Sequence, residues 1–419
     1  MAPLNILICG GGIAGPAAAY WLSKLGHTCT IVERHPELRA HGQQIDLREQ
    51  GVTVARRMGI LDEVRRRAVD EEGTGFLDAR GRVVAFFGRS GSEEHQSFTS
   101  EFEIMRGELC RILFEATSDR VRYRYGVTVD DFAPVGDGSR VRVEFSDGQA
   151  AEYDLLIGAD GQGSRVRRKM TPNDSYRAFG VFCCYFNMAR NADDERSRFL
   201  LCSPGKRRVM ATRWHSKDLG QGYLMTMSHA DEMRKALQSH DPVVQRDLFA
   251  RVFRGAGWQS ERLIDAMHRA DDVYVFEALQ VTTKPWSKGR VVLLGDAAHA
   301  PSFFTGMGTS LALVGAYVLA GELARHGDDV AAALDAYDAK LRPFVEETQQ
   351  LAPGFPGIMY PDSAWAVRLT HWILAFVAFA KLDKIIGTLS HYLMPEGKKW
   401  KVPDYPELEV ATESSPAKC

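Results

Sequence analysis

The chain lacks the cysteine pattern of a disulfide scaffold or a zinc protein. Its seven cysteines, at positions 9, 29, 110, 183, 184, 202 and 419, are scattered and odd in number, with no C-x-x-C pair. That usage points to a reducing compartment. Net charge is nearly absent too: Lys+Arg 52 against Asp+Glu 54 leaves -2, so no global field recruits nucleic acid or an anionic membrane. The expected partner is a small molecule. No apolar run reaches the roughly 20 residues that a membrane span takes. The most apolar stretch, LTHWILAFVAFA at 369–380, reads as a packed C-terminal helix, with peripheral membrane contact as its alternative and no stable insertion. The opening LNILIC comes without a basic region or cleavage site, so the expected location is cytoplasmic. Repeats and low-complexity tracts are missing, and the tail ATESSPAKC, small and polar, reads as disordered.

What remains is the composition of an ordinary globular protein, 45% hydrophobic and 25% charged over 419 residues, enough for two or three interleaved domains. Its opening stretch is informative. Ile6 to Cys9 reads as a buried strand, Ile13 to Leu25 as a helix stopped by Gly26, and Thr28 to Val32 as a second strand, together a βαβ unit. Gly10, Gly12 and Gly15 between the first two fit G-x-G-x-x-G. The first glycine allows the tight turn, the second lets backbone approach a pyrophosphate, and the third lets helix and strand pack closely. Helix-start amides around Ile13 and Ala14 would face the phosphates. Glu33, 18 residues after Gly15, can accept ribose hydroxyls and would repel a 2'-phosphate, which leaves FAD or NAD as the tightly held nucleotide.

Onward to Ala79 the pattern reads as helical, GELCRILFEATS as a short helix, and RVRVEF and EYDLLIG as strands about the turn SDGQ. Residues 176 to 228 change to strand-like runs with polar breaks, predicting an antiparallel sheet inserted as a substrate domain. Residues 290 to 325 return to an apolar strand, a glycine turn and a helix. The predicted division is 1–175 and 286–345 for a discontinuous nucleotide domain, 176–285 for the substrate domain, and 346–419 for C-terminal helices and tail.

Two later segments, DLLIGADGQGSRVRR (Asp154 to Arg168) and VVLLGDAAHAPSFFTGMGTSLALVGAYVLAGEL (Val291 to Leu323), each run from a strand into a polar glycine turn. With them the chain resembles the group A flavoprotein monooxygenases, the aromatic-hydroxylase family that includes para-hydroxybenzoate hydroxylase and the tetracycline-inactivating monooxygenases. The resemblance covers most of residues 4 to 345. It implies an α/β fold with a Rossmann-like FAD-binding domain and FAD as cofactor, with NAD(P)H as a transient co-substrate and O2. Asp160 and Gly161, with Ser164 and Arg167, match the second signature, which serves FAD and nicotinamide nucleotide. Asp296 would take a ribityl hydroxyl, and the Gly306, Met307, Gly308 turn would turn amides toward the flavin's pyrimidine oxygen. Arg34, Asp46 and Arg106 resemble further FAD contacts, and Arg48 lies near them. Where the family often has Asn and an acidic residue along the last helix, this chain has Ser310 and Gly315.

The implied reaction passes through a flavin C4a-hydroperoxide and hydroxylates a hydrophobic, electron-rich substrate, phenolic, polyketide or another secondary metabolite. No protein nucleophile is needed, so His299 reads as structural. Arg208 and Arg213 are the polar candidates for stabilising a phenolate or enolate, followed by Tyr223 and Tyr185, while Phe182, Phe186, Met225 and Met227 are candidates for an apolar lining. Baeyer-Villiger or epoxidising chemistry on the same scaffold is the nearest rival. A non-catalytic nucleotide-fold binding protein is the more distant one, and the halogenase motif W-x-W-x-I-P is absent.

Overall fold

A computed structural model describes residues 2–38, 42–89, 102–171, 175–191, 194, 197–380 and 400–413. The chain opens with β1 (Asn5–Cys9), α1 (Ala14–Lys24) and β2 (Thr28–Glu33). Ala17, Ala18 and Ala19 are fully buried, small enough to let α1 lie close against its neighbours. Next come β3 (Gln44–Asp46), α2 (Gln50–Arg57), α3 (Leu61–Arg66), β4 (Gly73–Leu77) and β5 (Val83–Gly88). The helical reading up to Ala79 is therefore wrong at β3 and β4. In β4 a side chain at Gly73 would overlap the Phe87 carbonyl, and one at Gly75 would crowd Leu200, so close strand approach selects glycines that propensity scores as loop.

The chain continues through β6 (Glu103–Met105), α4 (Arg106–Glu115), β7 (Arg122–Tyr125), β8 (Val129–Val135), β9 (Arg140–Phe145), β10 (Ala150–Tyr153), β11 (Leu155–Gly158) and α5 (Arg165–Met170). EYDLLIG, expected as one strand, is two. β10 pairs antiparallel with β9 and β11 parallel with β1. The change of sheet falls at Asp154, whose carboxylate accepts the Asn5 amide at 2.7 Å.

Four long strands follow, β12 (Tyr176–Ala189), β13 (Phe199–Gly205), β14 (Arg208–Trp214) and β15 (Leu219–Thr226). Then come α6 (Ala230–Ser239), α7 (Pro242–Phe253), α8 (Ser260–Arg269) and β16 (Tyr274–Val281). The last part holds β17 (Ser287–Lys288), β18 (Val291–Leu293), α9 (Asp296–His299), α10 (Gly308–His326), α11 (Val330–Thr348), α12 (Ala364–Phe379) and α13 (Pro406–Glu413).

One sheet has the order β17-β18-β11-β1-β2-β7, parallel except at β17, so segments far apart in sequence end side by side. The second, β16-β12-β15-β14-β13-β4-β5, takes β4 and β5 from early in the chain. Because strand side chains alternate, its two faces differ. Phe182, Cys184, Phe186 and Met188 pack with Leu248, Phe253, Leu263 and Met267 in a core under the helices α6 to α8. Val181, Cys183, Val209, Ala211 and Met225 form a separate cluster on the opposite face, with Tyr360 and the partly buried Phe304.

The C-terminal region departs from expectation twice. α12 contacts β5 and β13 but buries no residue fully, and Trp365, Trp372 and Phe379 are 71%, 66% and 88% exposed. Ala411–Glu413, the start of the supposed disordered tail, belongs to α13, while 414–419 lie outside the described residues. The adjacent Tyr405 anchors that helix: it is fully buried against Gly321, where any side chain would overlap its ring, and its hydroxyl donates to Glu322 at 2.6 Å.

Two buried histidines make the fold acid-sensitive. Burial lowers the pKa of His27 to about 4, and its Nδ1 accepts the Leu4 amide at 3.1 Å, a bond that protonation would break. Burial lowers His299 to about 3. Both fall below the unfolded value near 6.5, so the unfolded state binds more protons in between, and stability present above pH ~6.5 is lost as pH falls. The expected loss between pH 6.5 and 5 is on the order of 1–2 kcal/mol per histidine. Urea unfolding across this range should show a smaller drop in His27→Asn, which keeps an acceptor for Leu4; an equal drop would remove the assignment.

Candidate functional site

The three glycine-bearing turns meet at the carboxyl ends of β1, β11 and β18. Gly10 has φ of +120°, and a Cβ there would overlap the Ala159 carbonyl at the end of β11. A Cβ on Gly15 would overlap the Gly10 carbonyl, so α1 tucks beneath its own turn only with glycine at that place. A Cβ on Gly295 would press on Ala14. Thus residues 10–15, 159–160 and 295 are in mutual contact.

Around this junction the fold leaves specific groups. α1 starts at Ala14 after Ile13 with no side-chain cap, so its first amides are offered outward. Glu33, half-buried, accepts the Gly11 amide at 2.8 Å and the His35 amide at 3.0 Å, which holds its carboxylate at the rim. Arg34 is exposed just beyond. The Arg106 guanidinium lies 3.2 Å from where a Gly12 side chain would begin, and its side chain runs beside Gly42.

Asp296, the first residue of α9, is solvent-exposed. Desolvation pushes its carboxyl up, and Arg106 and Arg167 pull it back. A side chain at Gly308 would begin 3.8 Å from its Oδ1, which brings the last motif to the same place.

Other expected contacts are placed differently. The Asp160 carboxylate is committed to α5: Oδ1 accepts from the Ser164 hydroxyl at 2.5 Å, and Oδ2 from the Arg165 and Val166 amides at 2.7 and 3.3 Å. This side chain braces the second turn. Arg167, buried, extends the brace by donating to the Ala297 and Gln162 carbonyls at 3.1 and 2.7 Å. In the last turn, the Gly306 amide donates to the Phe303 carbonyl and the Met307 amide to the Thr305 hydroxyl, at 3.1 and 3.2 Å. The outward donors therefore belong to α10, which begins at Gly308 with no side-chain cap.

Asp46 accepts from Arg48 Nε at 2.7 Å, and Arg48 lies against Gly306. Ser310 both accepts the Arg48 amide at 2.9 Å and donates to its carbonyl at 3.1 Å, clasping β3's exit to α10. Only Gly51, where any Cβ would overlap Ser310, hints at this clasp in the sequence. Gly315 is a packing position, since a side chain there would crowd Leu294. His299 stacks near Trp286 with ring centroids 4.9 Å apart, and neither ring nitrogen meets a partner among the described residues.

A wall of rings runs along the second sheet. Phe199, Tyr223, Tyr185, Tyr274, Phe276 and Phe303 follow one another at centroid distances of 5.2 to 6.2 Å, ending at the turn before Gly306. Arg213 lies over Phe199 at the other end. Met225 and Met227 share this face, but Phe182 and Phe186 do not, because alternation turns them into the core beneath the helices. Arg208 is likewise turned away, donating to the Val252 carbonyl of α7 at 2.9 Å. The Tyr223 hydroxyl donates to Gln221 at 2.8 Å, and burial pushes its pKa up.

Turns at the ends of adjacent parallel strands, uncapped helix starts and an exposed carboxylate define a dinucleotide-binding oxidoreductase fold. Residues 4–352 match the family model described as FAD binding domain, and the chain belongs to this family of FAD-dependent monooxygenases. It is 36% identical over 435 residues to the FAD-dependent monooxygenase asL4 of Sarocladium schorii, covering 97% of this chain and 99% of that one. It is 36% identical over 430 residues to the flavin-dependent monooxygenase eupH of Phoma sp, covering 97% and 98%. Among solved structures, the tetracycline destructase Tet(51) superposes with a TM-score of 0.75 at 27% identity, covering 97% of this chain and 100% of that one. The enzyme uses FAD.

If Asp296 holds the cofactor, Asp296→Ala should retain at least about tenfold less FAD after gel filtration, while its circular dichroism matches wild type. Wild-type flavin content in the folded variant would remove that role.

Proposed function

We propose that the chain hydroxylates a hydrophobic, electron-rich substrate of the phenolic or polyketide kind, using NAD(P)H and O2. The supporting observation is the ring wall, which ends at Phe303 just before the turn that leads into Gly308 and offers an aromatic substrate stacking and edge contacts on an apolar surface. The amides at the start of α1 would take the pyrophosphate, Glu33 a ribose, Asp296 the ribityl chain, and the start of α10 the pyrimidine side, with Arg106 facing the phosphates. Bound FAD supplies the electron transfer from NAD(P)H to O2 and the oxygen delivered to substrate. The reaction balances as substrate C–H, O2, NAD(P)H and a proton giving C–OH, water and NAD(P)+.

The protein's work is positioning and drying. Rings from β12, β15 and β16 hold the substrate plane and exclude water that would consume the activated oxygen. Tyr223, pinned by Gln221, offers a phenol whose oxygen can accept a hydrogen bond from a substrate hydroxyl.

Turnover under 18O2 with a panel of phenols and polyketide aromatics should give a product carrying one labelled oxygen atom. Products without label would overturn the reading. Arg208→Met should leave KM within about twofold while losing on the order of 1 kcal/mol of stability, because the Val252 carbonyl loses its donor. A large KM change would restore Arg208 to the substrate.

A further inference from the structure

The positive charge expected to meet the substrate is already answered. Arg213 binds Glu71 in a fork, Nε to Oε2 at 2.6 Å and Nη2 to Oε1 at 3.0 Å, and its Nη2 also contacts Glu103. Glu71 and Glu103 are 1% and 3% exposed. The Gln44 side-chain amide donates to the same Glu103 oxygen at 2.5 Å. Two carboxylates around one guanidinium carry a charge of minus one when both are ionised and zero when one keeps a proton. Burial and the neighbouring Glu71 push the Glu103 carboxyl up while Arg213 pulls it down, and the net direction is up. In neither state is the cluster a cation.

Among the described residues, other basic groups near this wall are engaged elsewhere, Arg48 beside Gly306 with Asp46. Arg208 reaches α7, Arg207 lies outside with Asp362, and Arg177 is exposed over Phe179. The cluster also ties the wall to the cofactor side. Gln221 accepts the Gln44 amide at 3.3 Å and donates to the Gly42 carbonyl at 3.1 Å, while the strand bearing Glu103 runs straight into Arg106.

We propose that Glu71 and Glu103, by neutralising Arg213, make the ring-lined chamber selective for uncharged aromatic substrates and exclude those bearing a carboxylate. This rests on the function proposed above, and it narrows that substrate class. A carboxylate placed beside the cluster would find no unmatched cation among the described residues and would face a like charge whenever both acids are ionised. A neutral phenol, ester or ketone meets no such penalty and can still donate to Tyr223 or lie on the rings.

The test is equilibrium binding to the FAD-loaded full chain, read from perturbation of the flavin spectrum, with 1-hydroxy-2-naphthoate and its methyl ester as a matched pair. Wild type should bind the ester at least about tenfold more tightly than the acid. In Glu71→Gln/Glu103→Gln, which turns the cluster into a cation at the same shape, that preference should shrink by about tenfold or reverse, through tighter binding of the acid. Should the double variant fail to fold, Glu71→Gln alone, which removes the like charge but leaves no net cation, should shrink the preference by a smaller factor without reversing it. Acid binding as tight as ester binding in wild type, an unchanged preference in a folded variant, or no measurable ester binding would overturn the proposal. Flavin content and oxygen transfer by the same wild-type sample judge the underlying function separately, because the titration requires no turnover.

Discussion

The structure depends on backbone contact between turns that are distant in sequence. Gly10 touches the Ala159 carbonyl, Gly15 sits beneath Gly10, and Gly295 touches Ala14, each at a separation that a side chain would abolish. Parallel pairing places β18, β11 and β1 next to one another, so their carboxyl-end turns have to share one small space. Arg167 then locks the arrangement by reaching from the second segment to the carbonyl of Ala297 in the third.

Polar groups divide by whether the fold consumes them. Asp160 and Arg167 are buried or half-buried and satisfied inside the protein, as are Glu71, Glu103 and Arg213 at the edge of the second sheet. Charged groups this far from water are costly unless paired, so their partners follow from burial alone. Asp296 differs, since it is solvent-exposed. The groups left facing outward, namely that carboxylate and the uncapped starts of α1 and α10, are those a cofactor can complete.

The legibility of the site followed the same division. Glycines at 10, 15 and 295 announce themselves because close backbone approach tolerates nothing else, and the apolar runs of β1, β11 and β18 announce burial on both faces. Side-chain direction was less readable. Arg208 and Arg213 look alike in RVMATRW, but they fall at positions of opposite parity, one toward helix α7 and one toward the ring wall. Phe182 and Phe186 went the wrong way for the same reason, since a one-residue shift in register exchanges the faces. The role of Ser310 was barely readable, since its partner, Arg48, lies 262 residues away and Gly51 alone hints at it.

By itself, the sequence determined the nucleotide-binding class, the three motif segments, the inserted strand-rich region and the absence of a membrane-spanning length. These depend on local periodicity, glycine geometry and charge, all properties of neighbouring residues. Tertiary structure alone decided that Glu71 and Glu103 cancel Arg213, that Asp160 braces a helix, and that β4 and β5 extend the second sheet. Each of those outcomes is a pairing between distant segments, and such a pairing is fixed only when burial forces every polar group and strand edge to find a partner.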